Sequence, residues 1–156
     1  MTPEADAPTT LSGRIESAMR DAMRARDAQR TQTLRMAMAA AHNVKIARGR
    51  DLTDEDVVEV LTKQVKQRRE SIAMYRDGGR EERAAAEEAE AAILAEFLPE
   101  QLSEREVEAL AREAIAATGA SGHGDLGRVM GALSPATKGR ADGRMVSEVV
   151  RRLLAG

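Results

Sequence analysis

A chain of 156 residues with one tyrosine (Tyr75), one phenylalanine (Phe97) and no tryptophan has little from which to build a sheet. β-Branched and aromatic side chains are the ones that fit a pleated, half-buried strand surface. Alanine, arginine, glutamate and methionine, which dominate here, are good helix formers. The sequence specifies an all-α protein. Its core has to come from Ala, Leu, Val and Met, so helices approach closely and each residue buries little area.

Punctuation along the chain divides it into seven helices. Residues 1–10 hold two Pro, three Thr and two acids without periodicity, and read as a disordered lead. Leu11, Ile15, Met19 and Met23 recur every four residues and mark a first helix ending near Asp27. A second helix runs from Ala28 to Arg48, with Gly49 placed to end it. Its centre (Leu34, Met36 to Ala41, Val44, Ile46) is apolar nearly all round, which predicts packing on more than one side. Thr53 caps a third helix, with Asp54, Glu55 and Asp56 in its first turn, that continues to Asp77 before Gly78 and Gly79. A fourth spans Glu81 to Leu98 and is halted by Pro99. Ser103 and Glu106 form a capping-box pattern for a fifth, which Gly119 closes. A short sixth covers Leu126 to Leu133, and Asp142 opens the last. This predicts a four-helix domain over 11–99 and a three-helix tail domain over 100–156, with Leu98 to Leu102 as the hinge between them.

Charge is distributed unevenly along this plan. The net charge is −2, yet Asp125 to Gly156 carries six Lys/Arg against three Asp/Glu. An acidic chain does not coat nucleic acid indiscriminately, but a local basic patch can recognise it. No cysteine is present, which removes disulfides, thiol nucleophiles and thiolate metal sites. The first six residues are acidic and polar, unlike a signal peptide, and no apolar run approaches a membrane span. The expectation is a soluble cytoplasmic protein without a membrane partner.

Gly122-His123-Gly124-Asp125-Leu126-Gly127 spells G-x-G-x-x-G. A dinucleotide loop needs a strand before those glycines, and here a helix and a linker precede them, so no cofactor is expected. The glycines read instead as a helix connection, followed by Gly127 and Gly131 as two small residues that let a neighbouring backbone come close. His42 and His123 are the only histidines, and neither has partners at metal-ligand spacing. No metal site and no catalytic group is predicted.

Helix three carries Leu61, Val65, Ile72 and Tyr75 on one stripe, with Arg68 at the missing position. Helix four places Glu90 on the face of Ile93, Leu94 and Phe97. A charge in an apolar stripe needs a partner, so Arg68 and Glu90 are predicted to pair and to fix the register of the two helices. Lys63, Lys66 and Arg69 lie beside the stripe as a solvated face or a surface for phosphates. Arg128, Lys138, Arg140 and Arg144 form a denser basic group, with Gly139 and Gly143 leaving backbone N–H groups within reach of phosphate.

In Thr33-Leu34-Arg35, Lys66 to Ile72, Glu90 to Leu94, Phe97-Leu98-Pro99, Asp125 to Gly131 and Lys138 to Gly143 the chain resembles the GatB/YqeY family, from about Leu11 to Leu154. The resemblance implies a stand-alone version of the C-terminal helical and tail domains of the amidotransferase GatB subunit. In GatB the tail contacts the tRNA body, and amidation occurs in a separate, larger domain. The family label of carbon–nitrogen ligase with glutamine as amido donor comes with the resemblance, but no residue constellation here supports that chemistry, and likeness transfers fold more safely than activity.

The leading expectation is an accessory module that binds tRNA or structured RNA through backbone and shape contacts from Arg128, Lys138, Arg140 and Arg144, helped by Lys63, Lys66 and Arg69. DNA is not an expected partner. The alternative is an adaptor that docks on an amidotransferase or an aminoacyl-tRNA synthetase through an Ala-rich helical face. A free-standing amidotransferase ranks last.

Overall fold

The computed structural model describes residues 9–156. Seven α-helices follow one another: α1 (Leu11–Arg24), α2 (Ala28–Arg48), α3 (Asp54–Asp77), α4 (Glu81–Ala95), α5 (Glu104–Thr118), α6 (Leu126–Thr137) and α7 (Gly143–Ala155). A 3₁₀ turn, His123–Asp125, precedes α6, and no strand occurs among the described residues. None of the helices is long and apolar enough to cross a membrane. The chain divides into two compact units, one ending at Leu98 and the other running from Pro99 to Gly156.

Most of the lead read over residues 1–10 falls outside the described residues. Thr10, its last member, belongs to the fold, because its hydroxyl accepts from the Gly13 N–H at 3.1 Å and caps α1. The Leu11 N–H is satisfied by the Asp54 carboxylate at 3.0 Å, so the first residue of α3 caps the start of α1. α1 ends at Arg24 rather than near Asp27. Arg26 N–H bonds Met23 O at 3.1 Å and Asp27 N–H bonds Ala22 O at 3.0 Å, the two bonds of a Schellman motif. Arg26 takes the left-handed position at φ 57° that glycine usually fills, at a cost of about 1 kcal/mol. Asp27 is thereby released to cap α2 through the Arg30 N–H at 3.0 Å.

The N-terminal unit closes on Leu11, Ile15, Leu34, Ala37, Val57, Leu61, Val65 and Leu94. α3 starts from a reciprocal capping box between Thr53 and Asp56 and ends with Gly79 at φ 72°. The expectation for α2 is only half met. It packs against α1, α3 and α4, but its buried face is the narrow strip Thr33, Leu34 and Ala37. Met36 and Ile46 stand in solvent. Alanine fills most of the apolar positions on α2, and so small a side chain suits water nearly as well as a core. The α-helical part of α4 stops at Ala95 instead of Leu98. Phe97 and Leu98 bond three residues back, to Leu94 O and Ala95 O, so the chain tightens into 3₁₀ geometry ahead of Pro99.

The second unit is built around Val107, Ala111, Ala114, Val129, Leu133, Val146, Val149, Val150 and Leu154. Ser103 caps α5 through the Glu106 N–H at 3.2 Å, and Asp142 caps α7 through the Arg144 N–H at 3.1 Å. α6 runs one turn past the expected stop, through Pro135 to Thr137. Proline forfeits the bond to the carbonyl four residues back, here that of Gly131. Gly131 and Pro135 are both exposed, so that carbonyl is open to water, while buried Leu133 and Thr137 hold the turn down. Gly127 and Gly131 also depart from expectation. A side chain at either would meet open space, so no neighbouring backbone approaches them.

Candidate functional site

The glycine-rich basic segment of the second unit has no acid between Leu126 and Ala141 but includes Arg128, Lys138 and Arg140. Its outer side is bare: Gly124, Gly127 and Gly131 are exposed, with nothing near where a side chain would stand. A ligand can therefore come close to the helix surface there, where no side chain stands in the way. Arg128 is exposed and donates from Nη2 to Asp125 Oδ1 at 2.9 Å. Asp125 is held below the usual carboxylate range, first by the Ser121 N–H and then by the Arg128 charge, so it stays ionised and steadies Arg128 at the start of α6. Lys138, at the end of α6, is exposed too. Arg144 projects into solvent, with Glu148 3.8 Å away as its partner on α7.

Arg140 has a different role from its neighbours. Its Nε donates to Glu100 O at 3.1 Å and its Nη1 to Ala136 O at 3.3 Å, while its own carbonyl accepts from the Leu102 N–H at 2.7 Å. With Gln101 Nε2 on Gly139 O at 2.9 Å, this clasps the segment before α5 to the end of α6. Arg140 braces the surface and presents little of its charge. Arg152 is likewise occupied, by Glu104 at 3.2 Å and Glu108 at 3.3 Å.

On the first unit, Lys63, Lys66 and Arg69 are exposed along α3, as are Glu59, Glu70 and Asp77. At about 100° per residue these six fall within one broad outer face. Three acids offset three bases there, so the six carry no net charge. That mixture suits solvation better than phosphate binding.

Arg68 lies buried between α3 and α4, its Nη1 3.4 Å from Glu90 Oε2 and 3.6 Å from Glu87 Oε2. Its Nε and Nη2 are buried without a hydrogen-bond partner. Glu87 was not expected as a second partner, although it continues the 87-90-94-97 spacing of the stripe that carries Glu90. A second buried charge, Asp56, was not expected either. It accepts from the guanidinium groups of Arg48 and Arg50 (2.7 Å for the latter) and from the Thr53 N–H at 2.9 Å. The Arg50 hydrogen bond, followed by the Thr53 backbone, holds its carboxyl well below the usual range. Its only sequence signal was the acid at the third position of α3.

The Asp56 clamp makes a pH prediction. Asp56, Asp125 and Glu108 (the last held low first by Arg112) all have folded pKa values below their unfolded ones. Their stabilisation is therefore complete above about pH 5 and is lost as pH falls through the folded values. Asp56→Asn should flatten the acid limb of a stability–pH curve measured by urea midpoints. An unchanged slope below about pH 4 would count against the clamp.

A groove of about 540 Å³ opens between α1, α2 and α3, with His42, Lys45, Glu16 and Asp51 at its rim. Lys45 is paired with Asp51 at 3.0 Å, and the floor residues Ile15, Ala37, Val57 and Leu61 are each 3% exposed or less. Met38, Ala41 and Leu52 supply what apolar surface the groove offers, beside the charged rim. No group of three His, Cys, Asp or Glu residues among those described could hold a metal ion. His42 and His123 lie in different units, both exposed.

Comparison with known proteins finds sequence relatives. The profile of the family described as Yqey-like protein matches residues 12–154. An uncharacterized protein of Schizosaccharomyces pombe is 30% identical over 99 residues, which cover 64% of this chain and 80% of that protein.

Proposed function

The chain belongs to the YqeY-like protein family, and from that premise we propose an accessory module that binds tRNA or another structured RNA in the cytoplasm. The four helices of residues 11–99 serve in this reading as a helical domain and the three of 100–156 as the RNA-contacting tail. Its relation to the tRNA-dependent amidotransferase is one of recognition, and no bond-making step is assigned to this chain. The observation that carries the reading is the exposed, acid-free face of α6, where Arg128 and Lys138 flank bare backbone at Gly127 and Gly131. A-form RNA is contacted largely through phosphates and 2′-hydroxyls, which asks for positive charge and an unobstructed surface rather than aromatics. Arg144 adds a third exposed cation from α7.

Gel-shift titration of the full chain with bulk tRNA tests this. Affinity should fall with salt by about 0.7 to 0.9 log units per log unit of salt for each phosphate neutralised. Arg128→Glu with Arg144→Glu should weaken binding by about tenfold or more, and Lys63→Glu with Lys66→Glu by much less, because acids already offset that face. The absence of a complex at tens of micromolar protein in low salt would remove the reading. Equal losses from the two pairs would move the contact away from α6.

A further inference from the structure

The second unit holds no aromatic residue, since Tyr75 and Phe97 both precede it. Proteins that read single strands stack the bases on aromatic side chains, and this unit has no such platform. An RNA bound there is held by its backbone, and a double helix presents that backbone in a fixed form.

α7 has groups arranged for such a form. It turns Val146, Val149, Val150 and Leu154 into the core. Away from the core Arg144, Ser147 and Arg151 follow at intervals of three and four, which aligns them along one edge. Arg151 is exposed and pairs with no acid among the described residues. Arg144 has Glu148 at 3.8 Å, but the two side chains are 77% and 68% exposed, and so open a surface pair holds Arg144 only weakly. Between the arginines Ser147 is partly exposed, and its hydroxyl has no hydrogen-bond partner among the described residues. Seven residues set the arginines about 10.5 Å apart along the helix axis. The minor groove of B-form DNA is only about 6 Å wide, whereas that of A-form RNA is wide, shallow and lined with 2′-hydroxyls.

We propose that the Arg144–Ser147–Arg151 edge of α7 lies across the minor groove of double-helical RNA. The two guanidinium groups take phosphates on opposite strands, and the Ser147 hydroxyl bonds a ribose 2′-hydroxyl between them. The proposal rests on the reading of the second unit as an RNA-contacting tail and names the form of RNA it takes. The full chain is titrated by fluorescence anisotropy with a labelled RNA duplex of about 16 base pairs, its DNA counterpart and one RNA strand alone. The RNA duplex should bind about tenfold more tightly than the other two. Arg151→Glu should weaken it about tenfold, and Arg105→Glu, the same charge change at an exposed position of α5, by about twofold or less. Ser147→Ala should leave DNA binding unchanged and reduce the preference for RNA over DNA severalfold, a result that loss of the fold would not give. Equal effects of Arg151→Glu and Arg105→Glu, or a single strand that binds as well as the duplex, would overturn the proposal while leaving an RNA-binding tail in place. Failure of every RNA to bind, bulk tRNA included, would remove both.

Discussion

Replacing both Glu87 and Glu90 with alanine is expected to destabilise the first unit by about 3–5 kcal/mol, while either replacement alone costs about 1 kcal/mol. The asymmetry follows from the geometry around Arg68. Its side chain is 9% exposed, and both carboxylates approach the same Nη1 at 3.6 and 3.4 Å. One remaining carboxylate still compensates the charge. With neither, a guanidinium whose Nε and Nη2 already lack partners stays buried without a counter-ion, and a lone buried charge is among the costliest defects available. The glutamates are 25% and 27% exposed, so water entering from their side moderates the loss toward the lower figure. Adding Arg68→Met to the double variant should recover most of the loss, because an apolar side chain of similar length fills the space without a charge to satisfy. A double-mutant cycle from urea midpoints measures this. If the double loss equals the sum of the single losses within about 0.5 kcal/mol, the two glutamates do not share Arg68.

What the sequence disclosed follows the range of the interactions involved. Thr53, Ser103 and Asp142 were legible as caps, and Gly49, Gly79 and Gly119 near the ends of helices, because such signals act within a few residues of themselves. The Arg68–Glu90 approach was legible because each charge interrupts an apolar stripe, so the two stripes had to bring them together. Signals that depend on three-dimensional neighbours were not. The Asp56 clamp draws Arg48 from the end of α2 and Arg50 from the connection that follows, and no periodicity marks it. Gly127 and Gly131 have the spacing of a close helix contact, but small residues serve equally on an open face. Proline is a reliable stop signal only where its lost hydrogen bond would be buried, and α6 places that loss in solvent. Among the candidate cations, composition could not separate Arg128 and Arg144, which face water, from Arg140, which is committed to Glu100 and Ala136.

Leu94→Ala should be the most damaging single truncation in α4, at about 3 kcal/mol. Along this helix only Ala84 and Leu94 are buried, and Leu94 is fully so, against the core of Leu11, Ile15, Leu34, Val57, Leu61 and Val65. Most other apolar positions of α4 are alanines, which have no side chain long enough to collapse into the space left behind, so the cavity should persist and its cost with it. Domains of this size are stable by only about 5–15 kcal/mol, so the loss is a large share of the total. Leu94→Met, which conserves volume, should cost less than about 1.5 kcal/mol. Because the remaining tie of α4 relies on alanines, partly buried Ile93 and ion pairs, through Arg68 and through Arg76 with Glu81 and Glu88, the truncated α4 should also open ahead of the rest. Native-state hydrogen exchange would show this as α4 amides exchanging at a lower free energy than those of α3. A loss under about 1 kcal/mol, or α4 and α3 amides exchanging together, would mean that the alanines and the ion pairs hold the helix without Leu94.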